Sequence, residues 1–577
     1  VENHAYAQLL EDTAALMEIA GESIFRVRAF ERAAKTLSSL ARSIEAAMDD
    51  GTLLDLDGIG KSIAGDLRQI RARGSFDALD DLRKKLPAGM LELTRVQGLG
   101  PKKIKRLYDE LGIGDLAALE AAIQAGKVAQ LQGFGVKTQD NLQKEIDRLR
   151  RSAGRRPLPG ALSVAAPILE RLRALPQVAR AELAGSARRG RETVKDLDFV
   201  VATDDPAPVM DAFIAAPGVT EVIAHGPTKT SVILLGDLQA DLRAVRPGQF
   251  GTLLHHFTGS KEHHVELRKR ARQMGLTISE YGVLPIDAPE GTAPLAAADE
   301  ADVYRALGLP WIPPELREAQ GEIEAAERGA LPALLTRADL RGDLHMHTTA
   351  SDGANTIREM AEAALALGYA YIAITDHSKS STIANGLDEA RLRRHMADID
   401  AVDRELGGAI RVLKGIEVDI LKDGSLDLPG DLLDELDFVV GSVHASMKQD
   451  KPTMTARVLR AIESGHLHAI GHPTGRLLGE RDPFELDFDP ILAACRSCRV
   501  ALEINASAGR LDLKDTHARM AAEAGVMLTL STDSHSTRGF EQVAFGVTVA
   551  RRGWLTAQHV LNTRPWDELQ AWYAERG

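Results

Sequence analysis

From residue 341 onward, strand-like apolar runs end one after another in residues able to bind a metal. They are His345-Met346-His347, Asp376-His377, Glu417, His444, His472, Glu503 with Asn505, and Asp533-Ser534-His535. These seven strand ends alternate with helical stretches, a pattern that builds a parallel barrel or sheet. In a βα barrel the C-terminal strand ends share one mouth, so the side chains should converge there. A lone histidine in such a run is ordinarily a hydrogen-bonded core residue. Seven strand ends in register are not explained that way. Imidazoles with carboxylates suit zinc, manganese or iron, and the lack of thiolates disfavours a purely structural zinc. Cys495 and Cys498 have no second cysteine pair and are expected to be a helix residue and a strand-edge residue.

The middle of the chain carries Gly185-Ser186-Ala187-Arg188-Arg189-Gly190, then Asp196-Leu197-Asp198-Phe199. Aspartates two apart on a strand point to one face. Like charges crowd that face, which is costly unless cations sit there. Asp241 lies in another strand-like run and offers a third carboxylate. Three carboxylates around two magnesium ions are what phosphoryl transfer needs. The Gly-Ser turn would bind phosphate oxygens, with Arg189 adding charge-assisted bonds. Strands are expected at Val178–Leu183, Leu197–Ala202, Val219–Ile223, Ser231–Leu235 and Gln239–Val245.

The first 150 residues alternate amphipathic stretches with glycine turns in a weak repeat. Its units are Leu56-Asp57-Gly58-Ile59-Gly60-Lys61, Val96-Gln97-Gly98-Leu99-Gly100-Pro101-Lys102 and Leu131-Gln132-Gly133-Phe134-Gly135-Val136-Lys137. Each reads as helix, glycine hairpin, helix. Glycine allows close backbone approach, and the next helix start offers free N–H groups to a phosphate. Three copies with basic followers point to DNA-backbone binding.

The chain has 577 residues, too many for one core, so two to four folding units are expected. Its net charge of −13 hides basic clusters at Lys102, Lys103, Lys105 and Arg106, at Arg148, Arg150, Arg151, Arg155 and Arg156, and at Arg268, Lys269, Arg270 and Arg272. Phosphate contacts need local patches, not a basic average. No run of about 18 apolar residues and no signal-peptide pattern is present, so a cytoplasmic protein without membrane contact is expected.

Residues 1 to about 318 resemble the polymerase beta family, family X. The resemblance rests on Leu93–Pro101, the Gly-Ser and Asp-x-Asp motifs, Asp241-Leu242-Arg243, Phe257-Thr258-Gly259-Ser260, Ser279-Glu280-Tyr281 and Leu307–Ile312. It implies template-directed addition of deoxynucleotides into short gaps, with Mg²⁺ or Mn²⁺ at Asp196, Asp198 and Asp241. It places Gly185, Ser186 and Arg189 at the triphosphate and Phe257 and Gly259 by the sugar. DNA contacts fall to Gly58, Gly60, Gly98, Gly100, Lys102, Gly133, Gly135 and Arg268. His256 replaces the family's Tyr before Phe-Thr-Gly-Ser, which bears on ribonucleotide exclusion. His264 replaces an Asn that meets the incoming base. Asp66 stands where eukaryotic relatives carry a Schiff-base Lys, so no lyase of that type is expected.

Residues 341–577 resemble the polymerase-and-histidinol-phosphatase, or PHP, domain. This implies a seven-stranded barrel with three divalent metals, zinc or manganese. One takes His345, His347, Glu417 and Asp533; a second takes Asp352, His377 and His535; the third shares Glu417 and takes His444 and His472. Arg510 or Lys514 could hold the phosphate.

The expected architecture is multidomain: a helical DNA-binding region over 1–85, helix-hairpin-helix fingers over 86–155, an α/β nucleotidyltransferase palm over 156–245, and a thumb over 246–318. A helical linker over 319–340 leads to a (β/α)7 barrel over 341–577. The expected protein is a monomeric repair polymerase acting on gapped or primer–template DNA and deoxynucleoside triphosphates, with a 3′→5′ exonuclease and cleavage at abasic sites as a further activity. The competing readings are a small-molecule phosphoesterase on a DNA tether and a non-catalytic DNA-end scaffold.

Overall fold

The computed structural model describes residues 3–575 except 40–43, 57, 95, 97, 153, 281, 290 and 291. Asp57, Gln97 and Tyr281, and the side chains of Arg148, Arg150 and Arg151, therefore lie outside the described residues. The chain divides into two compact units. One is Val1–Arg155 with Ala215–Glu221 and Ile233–Asp237; the other is Arg156–Ile214, Val222–Val232 and Leu238–Gly577.

In the first unit the three glycine turns lead into helices Lys61–Arg73, Pro101–Leu111 and Val136–Ser152. The middle residue of each turn, Ile59, Leu99 or Phe134, is buried. It pins the turn into one apolar core that runs from Tyr6 to Ile146. The first glycine of each turn, Gly58, Gly98 or Gly133, has φ of 71°, 95° or 85°, a backbone region that favours glycine.

Five strands form the palm sheet: β1 (Arg180–Leu183), β2 (Asp196–Ala202), β3 (Val219–His225), β4 (Lys229–Leu234) and β5 (Leu238–Val245), in the order β1-β2-β5-β4-β3. β1 runs antiparallel to β2, and β2 runs parallel to β5. These spans agree with the expected strands to within a few residues. Helices Phe250–Thr258, Lys261–Gln273 and Glu300–Ala306 follow. Among them Arg317 is fully buried, bonded to Glu300 and to the Ile312 carbonyl.

The expected helical linker is corrected. Only Glu322–Glu327 is α-helical in 319–340, because Gly329 adopts φ 65° and Pro332 follows it. The segment is also packed. Buried Glu322 accepts from His263 Nδ1 at 2.6 Å, Glu327 pairs with Arg270, and Leu335 N donates to the Leu555 carbonyl at 2.9 Å.

The barrel strands are β6 (Gly342–Asp343), β7 (Tyr371–Ile374), β8 (Arg411–Asp419), β9 (Phe438–Ser442), β10 (Ala469–Ile470), β11 (Ala501–Asn505) and β12 (Leu528–Ser531). They pair in sequential order, each parallel to the next. A parallel bridge between Met346 and Ser534 brings the first and last together. Alternate strand residues separate into two apolar clusters. Tyr371, Ala373, Leu413, Phe438, Val440, Ala469 and Ala501 pack with Trp566, Leu569 and Tyr573 of the last helix. Ile372, Ile374, Val412, Val439, Ile470 and Leu502 pack in the other, with the surrounding helices. The two-residue period carried forward from the first set reaches His377, Glu417, His444 and Glu503. Cys495 and Cys498 both lie in the helix Phe488–Cys498, which corrects the strand-edge expectation for Cys498.

Candidate active sites

All nine expected ligands meet at the barrel mouth. Glu417 lies at the centre: its Oε1 is 3.2 Å from His444 Nε2 and 2.9 Å from His472 Nε2. Its Oε2 is 2.8 Å from His377 Nδ1, 3.5 Å from His345 Nε2 and 3.7 Å from His347 Nε2. Asp533 Oδ1 is 3.1 Å from His347 Nε2, and Asp352 Oδ1 is 3.5 Å from His535 Nε2. Among the described residues, three groups have ligand atoms within 4.8 Å of one another, all in the barrel: His345, His347 and Asp533; His347, Asp352, His377 and His535; and His377, Glu417 and His444.

The donor set fits cations. His345 Nε2, His347 Nδ1 and His472 Nδ1 are buried without a hydrogen-bond partner. Such atoms are costly unless something binds them. Neighbouring groups also settle which imidazole nitrogen is left free. His345 Nδ1 donates to Glu503 at 2.7 Å, His444 Nδ1 donates to Asp419 at 2.7 Å, and His535 Nδ1 donates to the Asp533 carbonyl at 2.9 Å. Each Nε2 is thereby left to a cation.

Electrostatics agree. Burial opposes charge on Glu417, but His444, His377 and His345 outweigh it and hold the carboxyl well below the usual range. His444 is pushed up to about 10 against burial by Glu417 and Asp419. His347 is pushed down to about 4 by burial and by His535 and His377.

Sequence reasoning took Asp376 for a strand-end residue able to bind a metal and missed that a second tier of carboxylates holds the loops. Buried Asp376 accepts from Thr348 N, Ser351 N and both hydroxyls, fixing the loop that bears Asp352. Asp512 does the same for Thr474 beyond His472, and Asp343 for Thr532 before Asp533. Only contacts distant in sequence reveal these roles. Arg510 Nε lies 3.4 Å from Asp533 Oδ2, and Lys514 is the N-cap residue of the helix Asp515–Glu523.

In the palm, Asp198 sits opposite Asp241 in the β2–β5 register, and Asp196 lies two residues before it on the same face. Burial, then Asp196 and Asp241, push the Asp198 carboxyl up to about 7. An all-oxygen set of this kind suits a hard cation. Gly185 has φ 63°, and a Cβ there would come within 2.3 Å of Asp198 Oδ2. Lys229, which sequence reasoning missed, places Nζ 3.4 Å from Asp241 Oδ2. Arg243, two residues after Asp241, stacks over the Phe257 ring at 5.1 Å and so brings Phe257 toward this face.

Arg189 makes protein contacts that the sequence did not reveal. Its Nε pairs with Glu318 at 3.1 Å and its Nη1 donates to the Thr258 carbonyl at 2.5 Å. It braces the turn that holds Gly259 and also acts electrostatically on Asp198. His264 Nε2 donates to the His256 carbonyl at 3.0 Å, and burial pushes His264 down to about 3. Arg268, Lys269 and Arg272 are exposed on one helix, whereas Arg270 leaves the expected patch to bond Glu327 and the Leu307 carbonyl.

The second glycines of the hairpins, Gly60, Gly100 and Gly135, have open space where a Cβ would stand. The protein's own packing does not demand glycine there, which leaves room for an outside backbone. Lys102 is exposed, while Lys103 caps the Gly98 carbonyl and Arg106 bonds Glu110 and the Gln132 carbonyl.

Residues 253–318 match the family model described as DNA polymerase beta thumb, and residues 343–507 match the PHP domain. Residues 1–76 match the Helix-hairpin-helix domain, and residues 90–148 match the SAM-like Helix-hairpin-helix tandem. DNA polymerase/3'-5' exonuclease PolX of Bacillus subtilis is 41% identical over 567 residues, covering 98% of each chain. A probable phosphatase of Shewanella sediminis is 30% identical over 245 residues, which is 41% of this chain and 94% of that protein. Probable phosphatase YcdX of Escherichia coli K12 is 32% identical over 204 residues, 34% of this chain and 78% of that protein. With its hairpin repeats, beta-type thumb and seven-stranded barrel, the chain belongs to the bacterial family X polymerases that carry a C-terminal PHP domain.

Proposed function

We propose that this chain is a DNA-repair polymerase that fills short gaps from deoxynucleoside triphosphates, and that its barrel removes nucleotides in the 3′→5′ direction. The observations that carry the reading are the register that sets Asp198 across from Asp241 with Asp196 on the same face, and the nine-residue barrel mouth around Glu417. The hairpin glycines support a DNA backbone as the shared partner.

Magnesium or manganese would be held by Asp196, Asp198 and Asp241 and would supply Lewis-acid activation of a 3′-hydroxyl and charge neutralisation for pyrophosphate. Gly185 lets the turn approach closely, and Ser186 would donate to a phosphate oxygen. Phe257 and Gly259 would border the sugar, with Arg189 holding their turn in place. At the barrel, one ion would be held by His345, His347, Glu417 and Asp533, a second by Asp352, His377 and His535, and a third by Glu417, His444 and His472. Zinc or manganese held there would supply Lewis-acid chemistry for phosphodiester hydrolysis. Glu503 and Asp419 hold the ring protons of His345 and His444 away from the mouth.

The segments we assign are 1–85 and 86–155 to DNA, 156–245 and 246–318 to nucleotidyl transfer, 319–340 to connection, and 341–577 to hydrolysis. The protein would act as a cytoplasmic monomer on gapped or primer–template duplex in base excision repair, with abasic-site cleavage as a further reaction. No helix among the described residues is long and apolar enough to cross a membrane.

A second reading, hydrolysis of a small phosphomonoester by the barrel, is favoured by the phosphatase relatives of that segment alone. A labelled primer on gapped duplex with Mn²⁺ separates the two. The proposal expects extension with deoxynucleotides and 3′ shortening without them. Intact primer beside rapid release of phosphate from histidinol phosphate would favour the second reading.

A further inference from the structure

The turn after the Gly-Ser motif is clasped by the barrel. Arg552 Nη1 donates to the Arg189 carbonyl at 2.7 Å, and a Cβ at Gly190 would come within 2.1 Å of the Thr548 side chain. Two residues on, Glu192 Oε2 lies 2.8 Å from Arg476 Nη1. Arg476 is buried and spends the rest of its guanidinium on the barrel: Nε donates to the Arg510 carbonyl at 3.0 Å, and Nη2 donates to the Leu511 carbonyl.

Arg510 is the residue so gripped. Its Nε lies 3.4 Å from Asp533 Oδ2, while its Nη1 is buried without a partner. A buried, unsatisfied guanidinium N–H is expensive and calls for an acceptor. At the edge of a cluster that would hydrolyse phosphate esters, the acceptor whose charge and geometry suit it is a phosphate oxygen. The hold on its backbone depends on charge. Arg476 is buried among carbonyls and feels the buried Asp512 carboxylate, and Glu192 supplies its direct ion pair. Removing one partner of such a pair leaves an uncompensated charge and reorganises what it holds.

We propose that Arg510 binds a phosphate oxygen of the strand being hydrolysed, and that Arg476, tethered by Glu192 of the palm, is the positioning residue that aims it. The palm is thereby a working part of the nuclease site. This rests on the hydrolytic reading of the barrel.

The test is a double-mutant cycle on the full chain, read as KM and kcat with Mn²⁺ on a labelled primer and on thymidine 5′-p-nitrophenyl phosphate. Equilibrium binding of thymidine monophosphate is read alongside. Arg510→Ala should raise KM and weaken monophosphate binding by roughly 10- to 100-fold, with partial rescue by Arg510→Lys. Glu192→Ala should move the same quantities in the same direction by a smaller factor, with metal content unchanged. Glu192→Ala combined with Arg510→Ala should be no worse than Arg510→Ala alone, because one acts through the other. Glu192→Gln keeps the shape and serves if the alanine variant does not fold. Additive effects in the cycle, or a Glu192 variant with unchanged KM and binding, overturn the proposal. A wild-type protein inert on the primer but active on the small ester sinks the exonuclease reading, while the cycle on the ester still decides this one.

Discussion

Asp198 stands directly across from Asp241 in the register of β2 and β5, and the pairing leaves two carboxylates competing for one space. Burial and the neighbouring charges push Asp198 up to about 7, so the folded, cation-free protein binds a proton there that the unfolded chain releases near 4. Stability from this group is therefore full below about pH 4 and falls as pH rises toward 7. Asp198→Asn should stabilise chelator-treated protein at pH 8 by on the order of 2 to 4 kcal/mol and change little at pH 4. Calorimetry at the two pH values checks this. An equal effect at both would show that repulsion is not the source.

Glu503 is the barrel's anchor rather than a ligand. It accepts from His345 Nδ1 at 2.7 Å, from the His472 backbone N at 2.6 Å and from Asn505 Nδ2 at 3.0 Å. Glu503→Gln should weaken zinc retention by about 10- to 100-fold while the barrel remains folded. Competition with a chromophoric chelator measures it. Unaltered retention would remove Glu503 from the account.

The two glycines of a hairpin should fail differently. Gly98→Ala forces a Cβ onto a backbone at φ 95° and should cost about 1 to 2 kcal/mol of stability. Gly100→Ala meets open space and should cost under about 1 kcal/mol, yet weaken DNA binding by obstructing the phosphate approach. Melting and fluorescence anisotropy with gapped duplex separate the two. Normal DNA binding by Gly100→Ala would count against the hairpin as a DNA contact.

Much of this was legible from local pattern. The period of two that hides Tyr371 and Ala373 inside the barrel continues to His377, so strand ends announced their ligands. The same period paired Asp196 with Asp198. Local pattern failed where partners lie far apart. Nothing local to Arg189 announces its bonds to Glu318 and the Thr258 carbonyl. Asp376 reads as one more strand-end ligand, and Asp343 and Asp512 as ordinary polar residues, until the loops they hold are in view. Residues 319–340 read as helix by Ala and Glu content, but Gly329 and Pro332 end the helix early, and Glu322 is drawn inward to His263.

The central claim is that one chain holds two phosphodiester sites, each with its own set of cation ligands. It is tested by following a 5′-labelled primer on gapped duplex with Mn²⁺ for wild type, Asp198→Ala and His345→Ala, with and without deoxynucleotides. Asp198→Ala should lose extension by at least roughly 100-fold and keep 3′ shortening, and His345→Ala should do the reverse. If either variant loses both products, or neither variant loses one, the two-site account is contradicted.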